Sequence, residues 1–303
     1  MGVNQVESLS PEKLLICITF HYVDSRLKYL EKISHFFSSL AQQVVAVIIT
    51  NMVQQEELDR IHALLKKANI QYEVISPSYL GHPFLLTWTH LAIFRERFLD
   101  ESFTHFLYLE DDICIEPKNI QYWLQGRELL KPLGLVPSFF RYEYKLHGKI
   151  KLATDLVHRI NFYLMPKILM SPGYGFINVP NAYQACYLMD RELMFEHLQG
   201  ESSHPDFGRW DVRARAASGL TFANVPKGFW SRNVVGVNLL EKQIDSDALI
   251  HHVPNNYAFD ENAPNAKTPV MQILQFDWYL MVFANLQKVY LGLKKLIKPK
   301  KKR

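Results

Sequence analysis

The stretch Phe106-Leu107-Tyr108-Leu109-Glu110-Asp111-Asp112-Ile113 constrains this chain more than any other, because three consecutive carboxylates follow directly on an apolar run. The run is aromatic-rich and preceded by Thr104 and His105, which predicts a short buried strand with the acids where it leaves the sheet. Adjacent negative charges repel, and desolvating each one is costly unless something positive compensates. No basic residue follows until Lys118. A divalent cation, Mn²⁺ or Mg²⁺, with a diphosphate completing its shell is one solution, since hard oxygen ligands suit both ions. A solvated acidic turn is the other reading of the same residues.

The rest of the first half supplies a frame for those acids. Residues 14–20, 44–50, 72–75 and 106–109 read as strands, and residues 26–40, 56–68 and 84–99 carry helical spacing. Strands alternating with helices predict an α/β protein with a mostly parallel central sheet, whose ligands bind at the carboxyl ends of the strands. Glu110 to Asp112 lie at such an end, as do residues 21–24 and Thr50-Asn51. From about Gly134 the character changes. Residues 139–144, 150–152 and 162–164 read as short, partly antiparallel strands, separated by Pro166, Pro172, Gly173, Gly175 and Pro180.

Hydrophobic residues make up 48% of the 303 and aromatics 13%, enough for a sizeable core, and 21% charged residues exclude a largely disordered chain. Much of the net charge of +4 comes from the terminal Lys-Lys-Lys-Arg, so the near-neutral body argues against nucleic acid as a partner. Cys17, Cys114 and Cys186 are widely spaced and show neither metal spacing nor a disulfide framework, which predicts a reducing compartment. The N-terminus is polar through Lys13 without a signal-peptide core, and Val6 stands where a Met-Gly myristoylation signal needs Ser or Thr.

An apolar strand ending in Glu-Asp-Asp resembles the Asp-X-Asp signature of nucleotide-sugar glycosyltransferases with the A-type fold. A parallel nucleotide-binding half followed by a mixed acceptor half is that family's layout, and the resemblance covers roughly residues 14–260. It implies a catalytic domain over 1–260, divided into a donor-binding half (14–133) and an acceptor half (134–260), followed by a C-terminal segment (261–303). The opening Thr19-Phe20-His21-Tyr22-Val23-Asp24-Ser25-Arg26-Leu27-Lys28-Tyr29-Leu30 resembles the first strand, turn and helix of family-2-type members. By that resemblance His21, Tyr22, Asp24 and Arg26 are candidates for contacts to the base and ribose, although Asp24 also reads as a helix cap. Asn51 is a further nucleoside candidate or a turn residue. Trp88 and His90 are candidates for the donor pocket, or else a core tryptophan and a surface histidine.

The resemblance makes Asp112 the direct metal ligand, with Glu110 and Asp111 bonding ribose or sugar hydroxyls or acting through water. In many A-type enzymes a histidine late in the domain completes the shell, and Leu249-Ile250-His251-His252-Val253 offers two. Adjacent strand residues face opposite sides, so one of His251 and His252 is expected at the metal, and the sequence leaves open which. The stretch Ala185-Cys186-Tyr187-Leu188-Met189-Asp190-Arg191, followed by Trp210-Asp211-Val212-Arg213-Ala214-Arg215-Ala216-Ala217-Ser218-Gly219, resembles the segment that carries the base of inverting members. This maps the base onto Asp211, with Trp210 replacing the commoner Glu and with Asp206 or Glu143 as alternatives. An N-terminal helix cap is the other reading of Asp211. Arg141, Arg213, Arg215, Lys227 and Arg232 are available for a leaving diphosphate.

Residues 270–293 are apolar and aromatic but interrupted by Gln275, Asp277, Asn285, Gln287 and Lys288, and a polybasic end follows. Such a segment is too polar to span a bilayer and suits an anionic membrane surface; a core-packed helix with a solvated tail is the alternative. Together the expectations are a cytoplasmic enzyme, peripheral on the inner membrane face, moving sugar from a nucleoside-diphosphate donor to a glycan or lipid-linked acceptor. The rivals are a metal-dependent sugar-nucleotide hydrolase or nucleotidyltransferase, and a non-catalytic scaffold.

Overall fold

The computed structural model of the protein describes residues 10–52, 54–145 and 148–275. In chain order the first half contains β1 (Lys13–Phe20), α1 (Leu27–Ser34), β2 (Gln43–Thr50), α2 (Gln55–Lys66), β3 (Gln71–Ile75), α3 (His90–Phe98), β4 (His105–Glu110), β5 (Ile113–Cys114) and α4 (Pro117–Leu130). The second half contains β6 (Val136–Pro137), β7 (Phe140–Lys145), β8 (Ile150–Ala153), β9 (Lys167–Ser171), β10 (Tyr174–Ile177), β11 (Cys186–Asp190), α5 (Arg191–Gln199), α6 (Val212–Arg215), β12 (Asn233–Asn238), β13 (Gln243–Ile244), β14 (Leu249–His252) and α7 (Asn256–Phe259).

The central sheet runs β11-β4-β1-β2-β3. Its β4, β1, β2 and β3 are parallel, and β11 closes the edge antiparallel to β4. In β1 and β2 seven of eight residues are buried, because helices cover both faces; such strands read as continuous apolar runs rather than as alternation. The protein is therefore a mixed α/β chain with a parallel sheet. Two smaller sheets follow: β13-β12-β10-β9, with β6 on β12, and β5-β14-β7-β8. One continuous core runs from Leu14 to Leu274, so the two halves share a single hydrophobic interior.

Three elements differ from the sequence expectations. Residues 162–164 form a turn of 3-10 helix instead of a strand, because the Asn161 side chain accepts from the Tyr163 N–H at 3.0 Å and Pro166 ends the turn. The helix expected over 84–99 splits into a 3-10 segment, Pro83–Trp88, and α3, so that Trp88 and Leu91 are both buried. The helix expected over 26–40 holds only for α1, with 3-10 turns on either side. Residues 261–275 pack against the body, where Ile160 N–H donates to Ile273 C=O at 2.8 Å and Val270, Ile273 and Leu274 are buried. The rest of the amphipathic, polybasic segment, 276–303, lies outside the described residues. Among the described residues no helix is long and apolar enough to cross a membrane.

Candidate functional site

The acids stand where the parallel sheet directs them. Glu110 pairs with Thr19 as the last residue of β4, and the chain then turns through Asp111 and Asp112 into β5. The two residues of β5 pair with β14, setting Ile113 against His252 and Cys114 against His251. Val253 N–H donates to the Asp112 carbonyl at 2.9 Å and pins the turn. This short ladder brings β14, from late in the described chain, to the acids.

The positive charge that the triplet requires comes from the chain itself. Arg26, in the turn after β1, bonds Asp111 through one edge of its guanidinium: Nε to Oδ2 at 2.8 Å and Nη2 to Oδ1 at 2.6 Å. The same Nη2 reaches Asp112 Oδ2 at 2.9 Å. His252 presents Nε2 to Asp112 Oδ2 at 3.6 Å, and its Nδ1 lies 2.5 Å from Glu143 Oε1. Glu110 Oε1 accepts from Tyr183 Oη at 2.7 Å. The guanidinium of Arg141 lies 4.7 Å over the Tyr183 ring while bonding Asp155 in bidentate fashion. A cation is thus not the sole possible compensation for the acids. Sequence reading missed this because Arg26 and Asp111 are 85 residues apart.

Burial and pairing pull the acids in different directions. Burial, followed by the charge of Asp112, raises the pKa of Glu110. Burial raises Asp111 as well, against the pull of Arg26. Burial also opposes ionisation of Asp112, but bonding to His252 and the charge of Arg26 outweigh it and lower its pKa. For His252 burial favours the neutral ring, yet bonding to Asp112 and Glu143 prevails and raises the pKa to about 9.

Asp112 Oδ1 is buried and has no hydrogen-bond partner, while Oδ2 holds Arg26 and His252. An unpartnered carboxylate oxygen in such a place is costly and invites a ligand. Glu143 is fully buried and fixes His252 Nδ1, the arrangement by which carboxylates orient metal-bound imidazoles. Among the described residues no group of three or more His, Cys, Asp and Glu side chains could hold a metal by itself. Asp112 and His252 therefore fit a divalent ion only as a partial shell that phosphate or water completes, as Mg²⁺ and Mn²⁺ accept. Asp111, with both oxygens on Arg26, is committed elsewhere.

The other candidates are distributed as follows. His251 faces away from the acids, stacked on Tyr142 with centroids 5.3 Å apart, and its Nε2 lies 3.0 Å from Asn255 Oδ1. Tyr22 N–H donates to Asn51 Oδ1 at 2.8 Å, so Asn51 holds the turn after β1. Asp24 caps no helix; it accepts from Tyr22 Oη at 2.6 Å and pairs with Arg60 at 3.0 Å. His21 is exposed at the same turn. Trp88 is in the interior, donating Nε1 to the Val212 carbonyl at 2.7 Å. His90 is not on the surface: it is fully buried, between the Thr87 carbonyl and Tyr187 Oη, each 2.6 Å away.

Asp211 caps α6, its Oδ1 accepting from the N–H groups of Arg213 and Ala214 at 3.0 and 3.1 Å. It is exposed, and its neighbour Trp210 packs edge-on against Tyr183 with centroids 5.0 Å apart. Glu110, Tyr183 and Trp210 thus form a chain of contacts leading to Asp211. Asp206 is also exposed. Glu143 is sealed, its Oε2 accepting from Ala258 N–H, so it is not placed to meet an acceptor. Arg215 is occupied by the Trp210 and Pro205 carbonyls, and Arg232 by Glu196 and Gly134. Tyr183, Asp155 and the orienting role of Glu143 were not foreseen. The available signal was the alternation in Phe140-Arg141-Tyr142-Glu143-Tyr144-Lys145, which puts Arg141 and Glu143 on one face of β7 and two tyrosines on the other.

No protein-family model matches this chain, and no curated protein does. Among solved structures it is similar to CMP:2-keto-3-deoxy-manno-octonic acid synthetase complexed with CTP, at a TM-score of 0.33 and 10% identity, over 62% of this chain and 78% of that one. A likeness of that size carries no weight for activity.

Proposed function

We propose that this chain is a metal-dependent glycosyltransferase of the A-type fold, moving a sugar from a nucleoside-diphosphate donor to a hydroxyl of a glycan or lipid-linked acceptor. The observation that carries the reading is the buried, unpartnered Oδ1 of Asp112 beside a histidine whose other nitrogen a buried glutamate fixes. In this reading Asp112 and one of the adjacent histidines, His252, hold Mn²⁺ or Mg²⁺ at the carboxyl end of the parallel sheet. When bound, the ion supplies charge stabilisation to the departing nucleoside diphosphate.

The chain's own groups do the remaining work. Arg26 locks Asp111 and Asp112 in place and brings positive charge to the phosphate side. His21, Tyr22, Asp24 and Asn51 border the nucleoside position at the ends of β1 and β2. Glu110, held by Tyr183, faces the sugar side. Asp211 has Oδ1 committed to its own helix, leaving Oδ2 to take the proton of the attacking acceptor hydroxyl. The hydroxyl oxygen bonds to the anomeric carbon as the bond to the diphosphate breaks, inverting that centre. The polybasic end of segment 261–303 brings the enzyme to the inner face of an anionic membrane.

Calorimetry with UDP- and GDP-sugars, with and without Mn²⁺, tests the reading. Metal-dependent binding in the wild type that disappears in Asp112→Asn is expected. Nucleotide binding indifferent to both metal and Asp112 would remove the ligand assignment, and rapid donor breakdown without any acceptor would indicate a hydrolase or nucleotidyltransferase.

A further inference from the structure

On the face of β14 opposite Asp112 lies a cavity of about 450 Å³, lined by Lys32, Tyr144, Lys145, His251, Asn255 and Phe259. Its size falls within the range of small-molecule sites. Lys32 projects from α1 and Lys145 ends β7, and neither ammonium has an ion pair among the described residues. Glu31, beside Lys32 on the helix, is taken by Lys67 at 2.9 Å. Among the described residues no carboxylate lines the cavity. Two unneutralised lysines converging on a concavity attract an anion, and lysine serves phosphate as a mobile point charge.

The remaining wall is aromatic and polar, with Gly148 beside Lys145. The His251 ring is held between Tyr142 and Tyr144, with centroids 5.3 and 4.9 Å away. Asn255 sits in a left-handed conformation (φ 54°), and its Oδ1 accepts from Tyr144 N–H at 2.7 Å while lying 3.0 Å from His251 Nε2. Phe259 leaves 64% of its surface exposed at the rim. A preformed polar floor, two cations and an uncovered ring describe a site for an anionic head with an apolar or ring-shaped body.

We propose that this cavity is a second binding site, separate from the carboxylate cluster, for a small phosphate ester whose body packs on Tyr144 and Phe259. The site backs directly onto the one carrying His252, since His251 and His252 occupy successive positions of β14. Occupancy would thus bear on the strand that positions His252. The proposal does not depend on the transferase reading. Two sources present the same chemistry, a soluble sugar phosphate and the head of a phospholipid.

The test is calorimetry on the full chain in EDTA, with glucose 1-phosphate and dihexanoyl phosphatidic acid as probes and inorganic phosphate as reference. At least one ester should bind more tightly than inorganic phosphate, and which one does so identifies the source. Lys32→Gln and Lys145→Gln should each weaken it by about tenfold or more, as losing a charge-assisted hydrogen bond does. Phe259→Ala should erase the advantage over inorganic phosphate. Asp112→Asn, whose loss of manganese-dependent nucleotide binding is scored separately, should leave these titrations unchanged. Absence of ester binding by the wild type, binding that survives both lysine changes together, or loss of binding in Asp112→Asn would each overturn the proposal.

Discussion

His252 and His90 are both buried, and their surroundings shift their pKa values in opposite directions. His252 lies between Asp112 and Glu143 and holds its proton to about pH 9. Among the described residues, the hydrogen-bond partners of His90 are a backbone carbonyl and the Tyr187 hydroxyl, and burial lowers its pKa to about 3. Burial pushes both rings toward neutrality, so the partners decide. His197 extends the neutral region, its Nδ1 at 2.8 Å from Ser202 Oγ, and its pKa is likewise lowered by burial to about 3. The contrast separates a region built to stay uncharged from one built around charge, and the latter is where a cation and phosphates would be at home.

The contrast can be broken most forcefully with acid. His90 and His197 remain neutral in the folded chain to about pH 3, while in the unfolded chain they protonate near 6.5. Their stability contribution is complete above that value and is lost as pH falls toward 3, by several kcal/mol in total, comparable with the whole stability of a domain. Denaturant titrations across pH 7 to 4 should show this loss, and His90→Gln should flatten it; an unchanged slope would mean that the ring is already charged or exposed.

On the charged side, in the proposed transferase reading, Asp112→Asn should lower metal-dependent turnover about a thousandfold, the several kcal/mol that a lost metal contact represents. Steady-state kinetics over a range of Mn²⁺ concentrations measures it. Glu143→Ala should destabilise the fold by roughly 3 kcal/mol, because a buried partner of His252 is removed; chemical denaturation reads this directly. In metal-free protein, His252 contributes stability fully below pH 6.5 and loses it as pH rises through about 9. That alkaline decline, up to about 3 kcal/mol, should vanish in His252→Gln. The smallest effect belongs to His251→Ala, which forfeits a stacked ring worth about 1 kcal/mol and should leave the alkaline decline intact.

The charged side of this contrast was legible in the sequence, for identifiable reasons; the neutral side was not. Uninterrupted apolar runs at β1, β2 and β4 announced strands buried on both faces, and the acids after β4 announced a sheet edge needing compensation. The opposite facing of His251 and His252 followed from the two-residue period of a strand. What stayed hidden depends on distant partners. Nothing near Glu110 to Asp112 reveals Arg26, since the chain must fold before residues so far apart meet. His90 looked like a surface residue because its partner Tyr187 lies 97 positions away. Residues 162–164 looked like a strand because an asparagine turn leaves no mark on apolar periodicity. The charge alternation in β7 was visible, yet it acquires meaning only once β14 lies beside it.

The two-rung ladder between β5 and β14 also has a consequence for biosynthesis. A nascent chain that has emerged only as far as residue 248 already possesses every acid of the triplet together with Arg26, but has no imidazole to set against Asp112. In the proposed metal-binding reading, competence for cation capture therefore waits for β14, and a truncation that reaches β14 should abolish metal-dependent nucleotide binding.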